Sequence, residues 1–280
     1  ISIGNAGGAG NYLGLVNGTL RYTGTGTQSS SRALWIDQAQ TGSTFDVTQA
    51  SGNLTLSNSG GTVNKNVTKT GLGSLTLGGN VNGTMNLTVN QGTLTLTGNA
   101  IDYTGSTTVS GGKLVLSNND DTWTSGFNIA SGATVEIYRD TGAEYEHQAA
   151  FTLSGAGTLE KTGTGVVHMN WGNGGTVNMA SGALIHVKAG TLRLGYGGGS
   201  NWTNNRSDLT VASGATFDLW DNNNAGVFVD ALNGAGIITR SNYAQTGTMT
   251  IGVDNGSGTF TGSITNPSGI INLTKTGSGT

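Results

Sequence analysis

The stretch Phe127-Asn-Ile129-Ala-Ser-Gly132-Ala-Thr-Val135-Glu-Ile137 shows the pattern that decides the fold of this chain. Apolar residues alternate with polar ones on both sides of an Ala-Ser-Gly triplet. Alternation with a period of two is typical of strands that have one buried face. A glycine between two such strands permits a sharp corner. The sequence therefore predicts two short strands joined by a tight turn.

The same unit returns along the chain. It recurs at 177–187 and 209–219, and a copy one residue shorter occupies 87–96. Glycines at the corresponding points lie at 52, 73, 92, 112, 132, 157, 182, 214, 236 and 258. Apart from one longer step, from 182 to 214, this is a period of roughly 19–25 residues, which is typical of solenoids. The spacing is too long for tight hairpins and too short for a βαβ unit of about 30 residues or more. The sequence therefore predicts an all-β fold, a right-handed single-stranded parallel β-helix (a β-solenoid) with about 19–25 residues per coil.

The repeat also predicts which side chains point inward and where the corners lie. The apolar members of the alternation should form the core, and Thr and Asn should form ladders on the outside and at corners. The predicted core residues are Leu75, Leu77, Leu94, Leu96, Leu114, Val135, Ile137, Ile185, Val187, Phe217 and Leu219. The predicted corner glycines are Gly92, Gly132, Gly182 and Gly214.

Several segments resemble a known repeat. Gly92-Thr-Leu-Thr-Leu-Thr-Gly98-Asn99, followed by Tyr103-Thr-Gly105, Thr107-Thr-Val109 and Gly112-Lys-Leu114, is similar to the passenger-associated (autotransporter-associated β-strand) repeat of bacterial autotransporter passenger domains. Lys69-Thr-Gly71-Leu-Gly73 and Lys275-Thr-Gly277-Ser-Gly279 resemble the opening of that motif, and Lys161-Thr-Gly163 is a looser copy. The resemblance implies a surface protein of a Gram-negative bacterium, exported through the outer membrane by a C-terminal barrel.

Composition excludes several classes of function. The chain has 280 residues, no cysteine and a formal net charge of −3, so that disulfide scaffolds and thiolate metal sites are excluded. Mild acidity gives no electrostatic reason to bind nucleic acid. No apolar run approaches the roughly 20 residues that span a bilayer. We therefore expect a single continuous β-helix over 1–280 that does not cross a membrane. Because a strand should follow Thr280 by the template of the earlier copy, we expect a fragment of a longer passenger or fibre.

Catalytic and metal sites find little support in the sequence. Of the histidines, His186 falls on an outward strand position, His168 lies beside Met169, and His147 lies in a polar stretch. No nucleophile motif accompanies them. The acidic pair Asp120-Asp121 lies in an oxygen-rich loop but lacks the calcium-roll pattern. We therefore predict no catalytic residue, no metal and no cofactor.

Aromatic residues beside amides give a ligand-binding hypothesis. Several follow one another about one coil apart within Asn- and Gly-rich stretches, where they could form a binding ridge or simply pack over loop backbone. The candidate ligand-binding residues are Trp171, Tyr196, Trp202, Trp220 and Tyr243.

Three functions stay open at this point. The first is a surface-displayed adhesin or stalk that mediates attachment through host or bacterial surface glycans or proteins. The second is a structural segment of a self-associating extracellular fibre or filament, joined end to end or laterally. The third, less favoured, is a polysaccharide-degrading β-helix enzyme.

Overall fold

We describe the fold from a computed structural model of the chain. The described residues are 12–36, 41–98, 101–117, 126–140, 145–146, 151–169, 174–195, 199–220, 222, 226–242, 244 and 246–280. They contain strands, turns and no helix. The chain divides into two compact units, Ile1–Val135 and Glu136–Thr280.

Short strands follow one another throughout both units. In the first unit they are β1 (Tyr12–Gly14), β2 (Thr19–Tyr22), β3 (Thr27–Ile36), β4 (Ser43–Val47), β5 (Asn53–Val63), β6 (Val67–Thr70), β7 (Ser74–Leu77), β8 (Asn80–Gly83), β9 (Leu87–Val89), β10 (Thr93–Leu96), β11 (Ile101–Tyr103), β12 (Thr107–Val109), β13 (Lys113–Leu116) and β14 (Gly126–Ile129). Strand β15 (Thr134–Tyr138) runs across the division. In the second unit they are β16 (Tyr145–Glu146), β17 (Thr152–Gly155), β18 (Thr158–Thr162), β19 (Val166–Met169), β20 (Gly175–Met179), β21 (Leu184–Val187), β22 (Thr191–Leu194), β23 (Ser200–Asn201), β24 (Asp208–Val211), β25 (Thr216–Asp218), β26 (Val227–Val229), β27 (Leu232–Gly234), β28 (Ile237–Thr239), β29 (Thr246–Ile251), β30 (Ser263–Thr265) and β31 (Ile270–Lys275).

Each unit is a stack of parallel strands. In the first unit the pairing orders are β1-β3-β5-β7-β10-β13 and β2-β4-β6-β9-β12-β14, with β8 pairing β5 and β11. In the second unit they are β18-β21-β24-β27, β17-β20-β23, β26-β29-β31 and a six-stranded sheet of order β16-β19-β22-β25-β28-β30. Paired strands come from successive turns of the chain. The predicted all-β parallel solenoid is therefore confirmed.

The lengths of the turns follow from the register of the strands. In the first unit Leu75 lies beside Leu94, and Leu94 lies beside Leu114, so that the chain returns to the same row at each of these positions. In the second unit Leu159 lies beside Ile185, which is a longer turn. The turns agree with the predicted period, apart from the longest ones, such as that from Leu159 to Ile185.

The predicted core residues all lie in the interior. Each is at most 3% exposed. Leu54, Leu75, Leu94 and Leu114 form one inward row through four strands, while Thr95, between Leu94 and Leu96, points outward. Burying a leucine side chain contributes about 1.5–3 kcal/mol, and each turn covers the leucines of its neighbours.

The Ala-Ser-Gly corners are tight turns. Ala133 donates its N–H to the carbonyl of Ala130 at 3.0 Å, and the copies at 180–183 and 212–215 repeat this bond at 3.2 and 3.0 Å. Gly132 has φ +76°, which a type II turn requires at its third residue. The last alanine of each turn is buried, so a small side chain begins the following strand at the inner corner.

Candidate functional site

The aromatic candidates fall into different environments. Trp171, Tyr196 and Tyr243 lie outside the described residues. Trp202 is in the interior and Trp220 is half-buried. The two candidates that the structure describes therefore do not form an exposed aromatic ridge.

Trp202 packs inside the second unit. Its ring meets Phe217 edge-on, with ring centroids 6.2 Å apart. It also lines an apolar cavity of about 10 Å³, room for one water-sized molecule at most. Trp202 therefore serves the core of this unit.

Trp220 covers a row of polar side chains that we call the outer stack: His168, Arg193 and Asp218. Registers between β19, β22 and β25 place these three residues side by side on successive strands. They occupy the positions between inward residues such as Val167 and Leu192. The stack thus lies on the outer face of the six-stranded sheet.

An ion pair forms the centre of the outer stack. The Arg193 Nε donates to Asp218 Oδ2 at 3.1 Å, and Ser241 Oγ donates to the same oxygen at 2.5 Å. Asp218 Oδ1 accepts from the backbone N–H of Trp220 at 2.9 Å. The carboxylate therefore joins three segments of the chain.

The indole of Trp220 closes the stack from outside. The Arg193 guanidinium carbon lies 3.9 Å from the Trp220 ring centroid, a cation–π contact. Trp220 has φ +40°, an uncommon backbone conformation for a bulky residue. The hydrogen bond to Asp218 holds the backbone there, which directs the ring over the arginine.

His168 is fully buried beneath this cover. Its Nε2 donates to the carbonyl of Gly195, and its ring meets Trp220 edge-on at 5.7 Å. Asp218 bonds Arg193 and Ser241, while the Nε2 of His168 bonds a carbonyl. This geometry differs from a nucleophilic triad, in which one histidine links serine and carboxylate.

The other predicted histidines are placed as follows. His186 lies on the outward side of β21 beside Glu160. Burial lowers the pKa of His186, the Lys188 ammonium lowers it further, and Glu160 partly raises it. His147 and the pair Asp120-Asp121 lie outside the described residues. Within the described part of the chain no three His, Cys, Asp or Glu residues are grouped as metal ligands.

The sequence analysis did not predict that the lysine of a Lys-Thr-Gly segment is buried. We call this lysine, together with the carbonyls that accept its hydrogen bonds, the lysine clamp. The Nζ of Lys69 donates to the carbonyls of Thr70 at 2.6 Å, Gly71 at 2.7 Å and Gln91 at 3.2 Å. Gln91 belongs to the following turn, so that the ammonium joins two turns.

The clamp is repeated in the second unit. Lys161 Nζ donates to the carbonyls of Thr162 at 2.7 Å, Gly163 at 2.8 Å and Ala189 at 3.2 Å. Burial lowers the pKa of Lys69 to about 8, with Asp46 opposing the shift, and lowers that of Lys161 likewise to about 8. The signal was the phase of the alternation: Val67-Thr-Lys69 and Leu159-Glu-Lys161 put lysine where an apolar residue is expected.

Corner side chains form a second link between turns. Asn86 Oδ1 accepts from the backbone N–H of Ser106 at 2.8 Å, and Asn66 Oδ1 accepts from that of Asn86 at 2.8 Å. In the second unit Asp230 Oδ1 accepts from the backbone N–H groups of Asp254 and Gly256. These polar corner side chains therefore bond backbone groups of other turns and stabilise the fold.

Comparison with known proteins finds an adhesin among the relatives of this chain. The chain is 32% identical over 270 residues, 91% of its length, to "Adhesin BmaC autotransporter" of Brucella suis biovar 1 (strain 1330). It spans about 6% of the length of that relative. No family model matches the chain, and no solved structure matches it. No helix in the described residues has the length and hydrophobicity to cross a bilayer.

Proposed function

Because this chain is a β-solenoid of the autotransporter passenger kind, homologous to an autotransporter adhesin, we propose that it is a surface-displayed scaffold that mediates attachment. The observation that carries the proposal is the homology over 91% of the chain, together with a parallel solenoid in each unit. The proposed location is the outer surface of a Gram-negative cell. The proposed partners are glycans or proteins of host or bacterial surfaces.

The outer stack supports a scaffold without a reaction of its own. Its ion pair is shielded, since the Arg193 and Asp218 side chains are 13% and 2% exposed. His168 is 0% exposed. This burial supports a role of these side chains in stabilising the surface of a scaffold. Polysaccharide cleavage that is abolished by His168→Ala in a folded variant would contradict this part of the proposal.

Display on a non-adherent bacterium tests the attachment function. The chain is fused to an outer-membrane export barrel, and retention of the cells on a panel of epithelial and bacterial surfaces is counted. We expect more retained cells than with the barrel alone. A matched control displays the Leu94→Asp variant, whose turns should not pack. Equal retention for the chain, the variant and the barrel alone would refute attachment.

Self-association into a fibre is the alternative function, and it can be tested with the purified chain. A fibre segment should form filaments from purified chain, and its sedimentation should change with concentration. Filaments without retention on any surface would favour the structural fibre over the adhesin.

A further inference from the structure

We propose that Tyr12 and Trp35 form a stacking platform for a sugar ring, which would be one contact point of the attachment function proposed above. The two ring centroids lie 6.1 Å apart with a 58° angle between the planes. Tyr12 is 60% exposed and Trp35 is 37% exposed. Both rings of this pair are therefore open to solvent, unlike the buried pair of Trp202 and Phe217.

The strands raise the two rings above small neighbours. Tyr12 on β1 lies beside Ala33 on β3, and Gly14 lies beside Trp35. A Cβ atom at Gly14 would meet the Tyr12 ring at 3.3 Å, so the phenol ring leans over the glycine toward the indole. Leu34, between Ala33 and Trp35, is buried. The two rings therefore lie on the outer face of β1 and β3, opposite the buried Leu34.

Physical chemistry favours a carbohydrate over other occupants. The face of an aromatic ring carries negative potential, which attracts the polarised C–H bonds on one face of a pyranose. The Tyr12 hydroxyl adds a donor and an acceptor for sugar hydroxyls. A protein partner needs about 800 Å² on each side, far more than two rings supply. The net charge of −3 disfavours a nucleic acid.

The test measures binding of small probes to the purified chain by saturation-transfer NMR. The probes are the methyl glycosides of glucose, galactose and N-acetylglucosamine, their short β-linked oligomers, and tetramethylammonium as a cation that aromatic rings also bind. We expect at least one saccharide to bind with a Kd near the millimolar range, which corresponds to about −4 kcal/mol. Trp35→Ala and Tyr12→Ala should each weaken binding about tenfold or more.

Two further variants make the test specific for the platform. Gly14→Val keeps both rings but displaces the phenol ring, and it should weaken binding as well. Tyr138→Ala removes an aromatic ring outside the platform that is 38% exposed, and it should leave binding unchanged. Thermal unfolding of each variant shows that the chain still folds.

Three results would overturn the platform: no saccharide bound, tetramethylammonium bound instead, or saccharide binding that survives Trp35→Ala and Tyr12→Ala alike. Failure of the platform and failure of attachment are distinguishable. If cells that display the chain with both Trp35→Ala and Tyr12→Ala are retained as well as cells with the wild-type chain, the platform proposal is wrong. The attachment function would then still be supported.

Discussion

The buried lysines are the single residues whose chemistry departs most from their surroundings. An ammonium group removed from water is costly unless its donors are satisfied, and each clamp supplies three carbonyl acceptors. Replacing Lys161 by Met keeps the unbranched apolar part of the side chain but removes the ammonium group and leaves those carbonyls without its donors. We expect Lys161→Met to lower the free energy of unfolding by about 1–3 kcal/mol, as measured by urea denaturation. The control is Lys188→Met, because Lys188 forms an ion pair with Glu160 and its own side chain is exposed. This variant should change the free energy of unfolding by less than about 1 kcal/mol.

The same lysines predict how stability changes with pH. Their pKa in the folded chain is about 8, below the ordinary value of 10.5, so between these values the unfolded chain holds more protons. Stability should therefore rise as pH increases from about 8 toward 10.5, and the burial penalty should be fully present below pH 8. The comparison is wild type against the Lys69→Met/Lys161→Met double variant in urea melts at pH 7.5 and 9.5. A wild type that gains nothing over the double variant across this interval would show that the folded and unfolded chains hold the same number of protons on these lysines, and the lowered pKa would then be wrong.

Two arginine–aspartate pairs allow a matched comparison of burial. In the outer stack the Arg193 and Asp218 side chains are almost covered, whereas Arg21, paired with Asp46 at 2.7 Å, has a side chain 65% exposed. Removing one partner of a buried pair leaves an uncompensated charge and costs about 3–5 kcal/mol. Arg193→Ala should therefore destabilise the chain by several kcal/mol, and Arg21→Ala by at most about 1 kcal/mol. Equal losses in thermal and urea melts would mean that Trp220 does not shield the stack.

At the level of the corner, the glycines separate into two kinds. Gly92 has φ +65°, and a Cβ there would lie 2.3 Å from the Gly73 carbonyl oxygen. Gly132 has φ +76° and open space around it. Gly132→Ala should therefore cost only the left-handed conformation, about 1–2 kcal/mol, while Gly92→Ala adds a clash with backbone and should cost more. Calorimetric unfolding of the two variants checks the order, and the reverse order would contradict the close packing of turns at Gly92.

Strands and corners were predictable from the sequence because they depend on local alternation. Leu94 and Leu96 lie inward and Thr95 outward, as a period of two requires, and the Ala-Ser-Gly triplet needs no partner beyond its own turn. The lysine clamp was not predicted, because its third acceptor comes from another turn. Trp202 was proposed as a ligand residue on the polarity of its neighbours. Asn205, close by, is 0% exposed and bonds the backbone of Phe228 at 2.7 Å, so that local polarity there serves the interior.

The inward and outward faces of strand β10 allow a further test of the assigned register. Leu94 is 0% exposed, and an unpaired carboxylate in its place would be buried at high cost. We expect Leu94→Asp to destabilise the first unit by several kcal/mol, whereas Thr95→Asp on the outward side should be nearly silent. Circular dichroism and urea melts of both variants give the comparison. A larger loss for Thr95→Asp would reverse the assigned faces.

At the scale of the whole chain, cohesion passes from each turn to its neighbours, since the lysine clamps, corner asparagines and inward leucine rows all join successive turns. Stability within each unit is approximately a sum of turn and neighbour terms, so damage should spread to neighbouring turns of the same unit and fade with distance. Hydrogen exchange can follow this, because local opening raises the exchange of the amides that it exposes. We expect Leu94→Asp to raise exchange most in 54–116 and little in 185–251. Leu209→Asp, at another 0% exposed position, should give the reverse pattern. A uniform rise over the whole chain from either variant would show that the chain unfolds as one cooperative block, and the neighbour-by-neighbour account of stability would then be wrong.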